Sequence, residues 1–530
     1  MMRTHIVQLG LLVAISLAAC APVREPASGP GVAAAQRACA GLPDGQREEC
    51  IVDQAARTLN PEICRLLNIY IDDWCLQVVY EAADDPAICD RLYLEGIRPN
   101  CRDYYADPHH MPRVLTPTPM PAGVDLGTVA YVQNGDIWLK RLPDGAPQRI
   151  TDDGVNREPL WSPSGRWLAF RKLDSQLWLY STETGAARAV DQGAPVNYFR
   201  WSPAADTMAY VVGSGVLHLR TLAAGSTEGA VLTVPSPTSG PGSFAWSPDG
   251  RELAYVWTGS GANGEYRQEI RLQAAAGGAP ITLYAGGNPA VEPALGLAGW
   301  LPSGQALLIW QGARLFDSTL PEAVDLVILP ADRGQPFSGE LPLYVRDASW
   351  WLMGDLTPAP AGSAWADKNA DKDVMATTVG DGPPWTNKRI VLAGEAVTPG
   401  DQVAIQPAWS PGGEALAYSG MPDPGDVMLE QAGEAVHGRR LWIASTGADP
   451  AGRRLTDDPG ARDEHPQWSA DGAYLLFARL DEAARATLML IPARGGQPTL
   501  VVEEIDLGEP ADDFKVQIDW GQSYDWFRGR

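Results

Sequence analysis

The chain has 530 residues, of which 41 are basic and 65 acidic, and its formal net charge is −24. A surface this acidic repels nucleic acid and anionic lipid headgroups, so we expect no nucleic-acid partner. Length alone suggests about three or four domains. An internal repeat that absorbs most of the chain lowers that expectation to two folded units.

The N-terminus has the pattern of an export signal. An apolar run from Ile6 to Ala19 is too short to span a bilayer comfortably. It ends in Leu17-Ala18-Ala19-Cys20, which resembles the lipobox of bacterial lipoproteins. That resemblance implies a signal peptide over residues 1–19, acylation of Cys20, and an anchor at the outer face of a bacterial membrane, in the cell envelope or periplasm. An ordinary secretory signal, with Cys20 incidental, is the alternative.

Residues 20–106 form a cysteine-rich segment with a repeat of about 25 residues. Its six cysteines are Cys39, Cys50, Cys64, Cys75, Cys89 and Cys101. An even count in an exported segment predicts disulfides, and each repeat is typical of two short helices separated by a stop. Fifteen pairings are possible, and we expect the cysteines 11 or 12 residues apart to pair. A metal site is the alternative, although the segment has no Cys-x-x-Cys pair.

Residues 107–123 contain five prolines and predict an extended, semi-rigid linker. His109 and His110 lie in it. We interpret them as a solvated dipeptide rather than as metal ligands.

Tryptophans recur through residues 124–530 and define a long repeat. These markers are Trp161, Trp201, Trp246, Trp300, Trp350, Trp409, Trp468 and Trp520. Successive markers lie 40, 45, 54, 50, 59, 59 and 52 residues apart, near the roughly 40–50 residues of a four-stranded propeller blade. Most are followed by a turn such as Ser247-Pro248-Asp249-Gly250, which predicts a β-hairpin.

Two stretches carry a family resemblance. Residues 466–477, with Leu441-Trp442-Ile443 and Arg454-Leu455-Thr456-Asp457-Asp458 before them, resemble the repeat of TolB-type propellers. The same repeat occurs in the non-catalytic propellers of prolyl-oligopeptidase-like peptidases. The resemblance implies a mainly β fold, with a propeller over residues 124–530. It says little about function, because the repeat is a packing motif.

The number of blades depends on Trp350, which lacks the turn that follows most other markers. We expect eight blades, because Lys388-Arg389-Ile390-Val391-Leu392 supplies a further strand, and seven is the alternative. The strand around Trp520 should close the ring by pairing with strands from residues 129–151. Closure would remove exposed sheet edges.

Motifs for chemistry are sparse. The sequence has no Gly-x-Ser-x-Gly elbow, P-loop or His-Glu-x-x-His helix, so we expect a non-catalytic protein without a cofactor. His465, three residues before Trp468, could face the central channel, although an ordinary polar role is favoured over that of a catalytic base. The alternative function is a polysaccharide lyase or hydrolase with its site at the channel. Converging histidine and carboxylate side chains would favour it.

One acidic loop offers side-chain oxygens at alternate positions, as calcium requires. The candidate ligands are Asp367, Asn369, Asp371 and Asp373. The loop departs from the EF-hand pattern at Lys372 and Thr378. A solvated charged loop is the alternative.

These observations predict an exported, lipid-anchored, monomeric binding protein of the cell envelope. Its propeller would serve as a platform for a protein, peptide or glycan. Trp257, Trp365 and Trp385 lie near irregular loops, where large aromatic side chains often contact partners.

Overall fold

The computed structural model describes the chain in segments. They are residues 30–40, 44–58, 60–67, 72–82, 88–94, 97–99, 101–102, 124–173, 175–190, 195–213, 215–222, 229–235, 244–260, 264–288, 294–311, 323–349, 352, 355–360, 373–381, 383–425, 427, 429–445, 452–507 and 518–529. The chain divides into two compact units, residues 1–116 and 117–530. The predicted signal, Cys20 and the linker over 107–123 lie outside the described residues.

The first unit is helical and held by disulfides. Its helices are α1 (Pro30–Ala38), α2 (Asp44–Arg57), a 3-10 helix (Pro61–Leu66), α3 (Asp72–Ala82) and α4 (Ile88–Arg91). The 3-10 helix starts with proline, and the Asn60 side chain accepts a hydrogen bond from the Glu62 N–H at 3.2 Å.

Three disulfides join the cysteines of this unit: Cys39–Cys50, Cys64–Cys75 and Cys89–Cys101. The predicted pairing of cysteines 11 or 12 residues apart is confirmed. The cysteines pack with Ile51, Ile63 and Leu76 in one small core. Helices this short are marginal alone in water, so the disulfides and the core stabilise them together.

The second unit consists of antiparallel sheets formed by strands that are neighbours in sequence. Sheet I has β1 (Thr128–Gln133), β2 (Asp136–Arg141), β3 (Gln148–Arg149) and β32 (Tyr524–Phe527); sheet II has β4 (Asn156–Trp161), β5 (Trp167–Lys172), β6 (Leu177–Ser181) and β7 (Ala187–Ala189); sheet III has β8 (Val196–Trp201), β9 (Thr207–Val212), β10 (Val216–Leu222) and β11 (Gly229–Pro235); sheet IV has β12 (Phe244–Trp246), β13 (Glu252–Ser260), β14 (Tyr266–Ala274) and β15 (Ile281–Ala285).

The remaining strands form one large sheet and two further four-stranded sheets. Sheet V has β16 (Leu295–Trp300), β17 (Ala306–Gln311), β18 (Ala323–Pro330), β19 (Leu343–Ser349), β20 (Thr357–Pro358), β21 (Met375–Val379), β22 (Arg389–Leu392) and β23 (Glu395–Ala396); sheet VI has β24 (Gln402–Trp409), β25 (Ala415–Pro422), β26 (Arg440–Ser445) and β27 (Arg453–Arg454); sheet VII has β28 (Ala461–Trp468), β29 (Tyr474–Asp481), β30 (Ala486–Pro492) and β31 (Thr499–Ile505).

Hydrophobic clusters join each sheet to the next around a ring. Phe170 of sheet II packs with Val132 of sheet I, and further clusters join II to III, III to IV, IV to V, V to VI and VI to VII. Leu476 of sheet VII packs with Tyr131 of sheet I, which returns the series to its start. The ring is therefore closed by side-chain packing on both sides of every sheet.

Backbone pairing also closes the ring, although the closing strand differs from the predicted one. Strand β32 pairs with β1, with Tyr524 opposite Tyr131 and Phe527 opposite Thr128. Trp520 begins a 3-10 helix (Trp520–Gln522), where the Asp519 carboxylate accepts from the Gly521 N–H at 3.1 Å. The prediction of closure is confirmed, but the assignment of Trp520 to the closing strand is wrong, because Asp519 caps a helical turn there.

One further helix, α5 (Leu429–Val436), lies between β25 and β26. Its Ala432 and Val436 pack on Val403 and Ile405 of β24 and on Trp385. No helix within the described part of the chain is long and apolar enough to cross a membrane.

Candidate functional site

The turns after Trp246 and Trp468 are held by the same pattern of hydrogen bonds. Ser247 Oγ accepts from the Glu252 N–H at 3.0 Å and donates to Asp249 at 2.7 Å. Asp249 also accepts from the Arg251 N–H at 3.0 Å, and Gly250 has φ +68°, which glycine adopts without strain. Ser469 and Asp471 repeat these contacts. These residues therefore shape the hairpins.

The marker tryptophans connect neighbouring sheets. Five of them donate the indole N–H to a backbone carbonyl of the preceding sheet: Trp201 to Leu160 (3.0 Å), Trp246 to Arg200 (3.3 Å), Trp300 to Ala245 (3.0 Å), Trp409 to Thr357 (3.2 Å) and Trp468 to Ala408 (2.9 Å). Four of the acceptors come just before the preceding marker. The fifth, Thr357, comes before Pro358, so Pro358 occupies the marker position in β20.

In several sheets, the residue three positions before the marker lies in the first strand of the sheet, which we call the inner strand. Glu158, Gln406 and His465 occupy this position in sheets II, VI and VII, and each has a left-handed backbone at a β-bulge, with φ of 57°, 55° and 55°. Asp355 has the same spacing from Pro358. Left-handed backbone is unusual for such residues and often marks a functional position.

Contacts between sheets bring these residues together. The His465 N–H donates to Gln406 Oε1 at 2.8 Å, and its Nδ1 lies 2.8 Å from the Tyr524 hydroxyl of sheet I. The Gln406 N–H donates a hydrogen bond to the Asp355 carboxylate. We call Glu158, Asp355, Gln406, His465, Asp519 and Tyr524 the axial cluster.

Asp519 shows that the cluster is central to the ring. Besides the effect of burial, its negative charge raises the pKa of Glu158, Asp355 and His465. These residues belong to sheets II, V and VII, which are not all neighbours. One side chain influences all three because they converge at the axis.

The carboxyl groups of the cluster differ in their partners. Burial raises the pKa of Glu158, although Arg171 pairs with it and Arg200 lies near. Burial raises the pKa of Asp355 to about 7, opposed by the Gln406 N–H and Arg439. Asp355 Oδ2 is buried and has no hydrogen-bond partner among the described residues. A carboxyl oxygen in this state could accept a hydrogen bond from a ligand.

His465 and Tyr524 form a neutral pair beside these carboxyl groups. Burial lowers the pKa of His465 to about 4 and raises the pKa of Tyr524 well above its usual value. His465 is only half-buried, so solvent reaches it while protein atoms replace most of its hydration. Its ring nitrogen bonds the Tyr524 hydroxyl rather than a carboxylate.

Buried ion pairs support the cluster from sheets VI and VII. Glu464 contacts Arg439 at 2.5 Å and the Trp520 indole N–H at 2.8 Å, and Arg462 lies 3.5 Å away. Burial opposes ionisation of Glu464, but Arg462 and Arg439 outweigh it and lower its pKa. Sequence reasoning missed these pairs, although the charged run over 462–465 directly before Trp468 was a signal.

Of the four residues predicted to bind calcium, the structure describes only Asp373, so the calcium site stays a prediction. Asp367, Asn369 and Asp371 lie outside the described residues. The Asp373 carboxylate accepts from the Ser303 N–H at 2.9 Å and the Ser303 hydroxyl at 2.5 Å, so it stabilises a neighbouring turn. Within the described segments, no group of three or more His, Cys, Asp and Glu could hold a metal ion.

Other singled-out residues have structural contacts. Trp385 is buried against α5 and Val403, so the expectation that it contacts a partner is wrong. Arg271 lies 3.8 Å from the centre of a Trp257 ring. Trp365, His109 and His110 lie outside the described residues.

A closed ring of antiparallel sheets with polar side chains at its axis defines the class of this protein as a β-propeller. No protein-family model matches the sequence, and no curated protein matches it significantly.

Solved structures similar to this chain include TolB, a prolyl oligopeptidase and Sqt1. TolB from Acinetobacter baumannii is 12% identical over 71% of this chain and 64% of that chain, with a TM-score of 0.32. Prolyl oligopeptidase B from Galerina marginata is 13% identical over 66% and 51%, with a TM-score of 0.43. Sqt1 from Chaetomium thermophilum, bound to the N-terminus of a ribosomal protein, is 12% identical over 69% and 93%, with a TM-score of 0.41. This chain covers less than two thirds of the first two proteins, and its class rests on its own sheets.

Proposed function

We propose that this protein is an exported, lipid-anchored, non-catalytic binding protein whose propeller holds a protein, peptide or glycan at its axis. The observation that carries the proposal is the axial cluster, in which five sheets and the segment before β32 bring polar side chains together. Folded packing alone does not require such a convergence, because Leu297, at the equivalent position three residues before Trp300, is apolar and packs in a hydrophobic cluster. The chain acts as a monomer in the cell envelope, without a nucleic-acid partner.

An eight-bladed ring fits this proposal. Sheet V would comprise two blades, β16–β19 and β20–β23, because β19 and β21 are linked by a single residue pair, Ala348 and Val379. A hydrophobic cluster with Leu308 and Val391 also lies between its two halves, as clusters lie between the other sheets. Strand β22 (Arg389–Leu392) is the further strand that the sequence predicted.

Affinity capture tests the binding function. The chain from Ala21 onward would be immobilised and exposed to envelope extract, beside the double variant Asp355→Asn with His465→Asn. We expect a ligand that the native chain retains and the axial variant loses. Glu395→Gln, which changes an exposed carboxylate on β23, is the matched control and should retain it. If every retained species binds the axial variant equally well, the axis is not the binding site.

The lipid anchor has its own test. Acylation of Cys20 would hold the protein at a membrane, and the three disulfides of the first unit support export. Cys20→Ser should move the protein from the detergent phase to the aqueous phase, or leave it uncleaved, in detergent phase separation. Native-like partitioning of the variant would contradict lipidation.

A polysaccharide lyase or hydrolase is the second candidate. Asp355 supports it, because a carboxyl group with a pKa of about 7 is suited to general acid or base catalysis near neutral pH. The test is incubation with envelope polysaccharides, followed by assays for unsaturated products and for new reducing ends. Product formation that Asp355→Asn abolishes would replace the binding proposal with this one.

A further inference from the structure

The axial cluster leaves one strong acceptor unused. Asp355 Oδ2 is buried and lacks a hydrogen-bond partner among the described residues, whereas the other carboxyl groups at the axis are engaged. Glu158 pairs with Arg171, and Asp519 accepts from the Gly521 N–H and from Gln522 Nε2 at 3.0 Å. A buried carboxyl oxygen without a donor is costly, so it indicates a place for a donor supplied from outside.

The charged groups around Asp355 favour a positively charged donor. The groups that act on it are the Gln406 N–H, Arg439, Asp519 and Glu464. Arg439 is already paired with Glu464 at 2.5 Å and donates from Nη2 to the Pro384 carbonyl at 3.4 Å. Asp519 is exposed and negative, so it adds to the attraction for a positive group.

The uncharged members of the cluster complete the surroundings of Asp355. His465 is held neutral by burial and bonds Tyr524, while Gln406 Oε1 accepts from the His465 N–H and from the Ser419 hydroxyl at 2.9 Å. These groups carry no positive charge that would repel a cation. We propose that the axial cluster binds a ligand through an organic cation, an ammonium or guanidinium group, which donates to Asp355 Oδ2. This inference rests on the proposed binding function and names its ligand class.

A cation at this position would also displace a proton. Burial raises the pKa of Asp355 to about 7, so the group is about half protonated at neutral pH. A positive charge beside it favours the ionised form and lowers that pKa. Binding at pH 7 should therefore release up to about half a proton for each ligand bound.

Matched peptide pools provide the test. Two pools, randomised around a central lysine in one and a central norleucine in the other, would be passed over the immobilised chain from Ala21 onward. We expect retention of the lysine pool, with the best peptide then measured by calorimetry. Asp355→Asn should weaken its binding roughly 30-fold or more, because it removes one partner of a desolvated charge pair. Glu395→Gln should leave its affinity unchanged.

Two further measurements test the proton release and the source of the cation. Calorimetry of the native chain in two buffers of different ionisation enthalpy would measure proton release without any variant. Cadaverine distinguishes the sources of the cation: binding as tight as that of the peptide assigns a free amine, and much weaker binding assigns a lysine side chain. Equal retention of the norleucine pool, an unchanged affinity in Asp355→Asn, or no proton release at pH 7 would each overturn the inference. A neutral ligand that depends on the axial residues would overturn it while leaving the binding function intact.

Discussion

His465 and Asp355 lie in one polar cluster, yet burial moves their pKa values in opposite directions. Burial disfavours the charged form of each group, which is the protonated form of His465 and the ionised form of Asp355. The pKa values become about 4 and about 7. Between these values both groups are mainly neutral, so the axis carries less charge than its residues suggest.

The protonation of His465 can be measured directly. We expect its imidazole to stay neutral until the pH falls to about 4, because Asp519 and Glu464 offset only part of the burial effect. Nuclear magnetic resonance of the imidazole protons would follow the titration, and His465→Asn would assign the signal. Asn tolerates the left-handed backbone at this position. A midpoint near 6.5 would contradict the burial of this ring.

Asp355 should make the propeller less stable as the pH rises. Its pKa is raised from 3.8 to about 7, so between these values the folded state binds more protons than the unfolded state, and stability falls with increasing pH. Asp355→Asn lacks this loss. We expect it to be more stable than the native chain by about 1–3 kcal/mol at pH 8, with little difference at pH 4.

Urea unfolding followed by tryptophan fluorescence at the two pH values would measure this difference, with Glu395→Gln as the control. An equal effect of Asp355→Asn at both pH values would contradict the assigned ionisation. If Asp355→Asn gains stability and loses cation binding, Asp355 lowers the free energy of unfolding of the native propeller and is needed for binding.

Among the elements, the marker Trp468 and Trp178 of strand β6 offer a matched pair of substitutions. Trp468 donates from its indole to the Ala408 carbonyl at 2.9 Å, whereas the Trp178 indole N–H has no acceptor in the described part of the chain. Phenylalanine keeps most of the packing and removes the N–H. Trp468→Phe should therefore cost about 1–2 kcal/mol more than Trp178→Phe, because it also leaves a carbonyl without its donor. Thermal unfolding of both variants measures the difference, and equal losses would argue against the bond between sheets.

At the level of the elements, some features could be predicted from the sequence and others could not. The Trp-Ser-Pro-Asp-Gly turns and the cysteine spacing are local patterns, so they predicted the hairpins and the disulfides. Asp355 was missed because Pro358 stands where other sheets have the marker tryptophan, and β20 has only two residues. The importance of the position three residues before a marker depends on β-bulges, which hydrophobic alternation does not reveal.

At the scale of the whole ring, the fold depends on pairing between residues far apart in sequence. The prediction that the two ends of the propeller pair was correct, but the closing strand is β32 and not the segment around Trp520. The sequence favoured pairing of the two ends of the propeller because a closed ring has no free edge. It could not distinguish Trp520 from Trp526, since both are buried tryptophans near the end of the chain. In the structure, Trp520 lies in a 3-10 helix and not in the closing strand. The Gly521 N–H donates to Asp519 there, and the Trp520 indole N–H donates to Glu464.

The strand β32 should be indispensable for the ring. It contributes the buried Tyr524 and Trp526, and it pairs along the edge of β1. A chain ending at Ser523 would lose several kcal/mol of apolar burial and would expose that edge to other molecules. We expect a lower melting temperature and aggregation, measured by thermal unfolding and by light scattering after size exclusion. A chain ending at Arg528 retains the whole strand and should behave like the native protein.

A peptide can separate loss of the strand from a general effect of truncation. A synthetic peptide of residues 524–530 supplies β32, which is the strand missing from the chain that ends at Ser523, so it should bind the free edge of β1. We expect this peptide to restore the melting temperature and the monomeric state. The same peptide with Tyr524 and Trp526 replaced by serine should not, because the apolar contacts with sheet VII are lost. If the shortened chain is monomeric and melts like the native protein without any peptide, β32 does not close the ring.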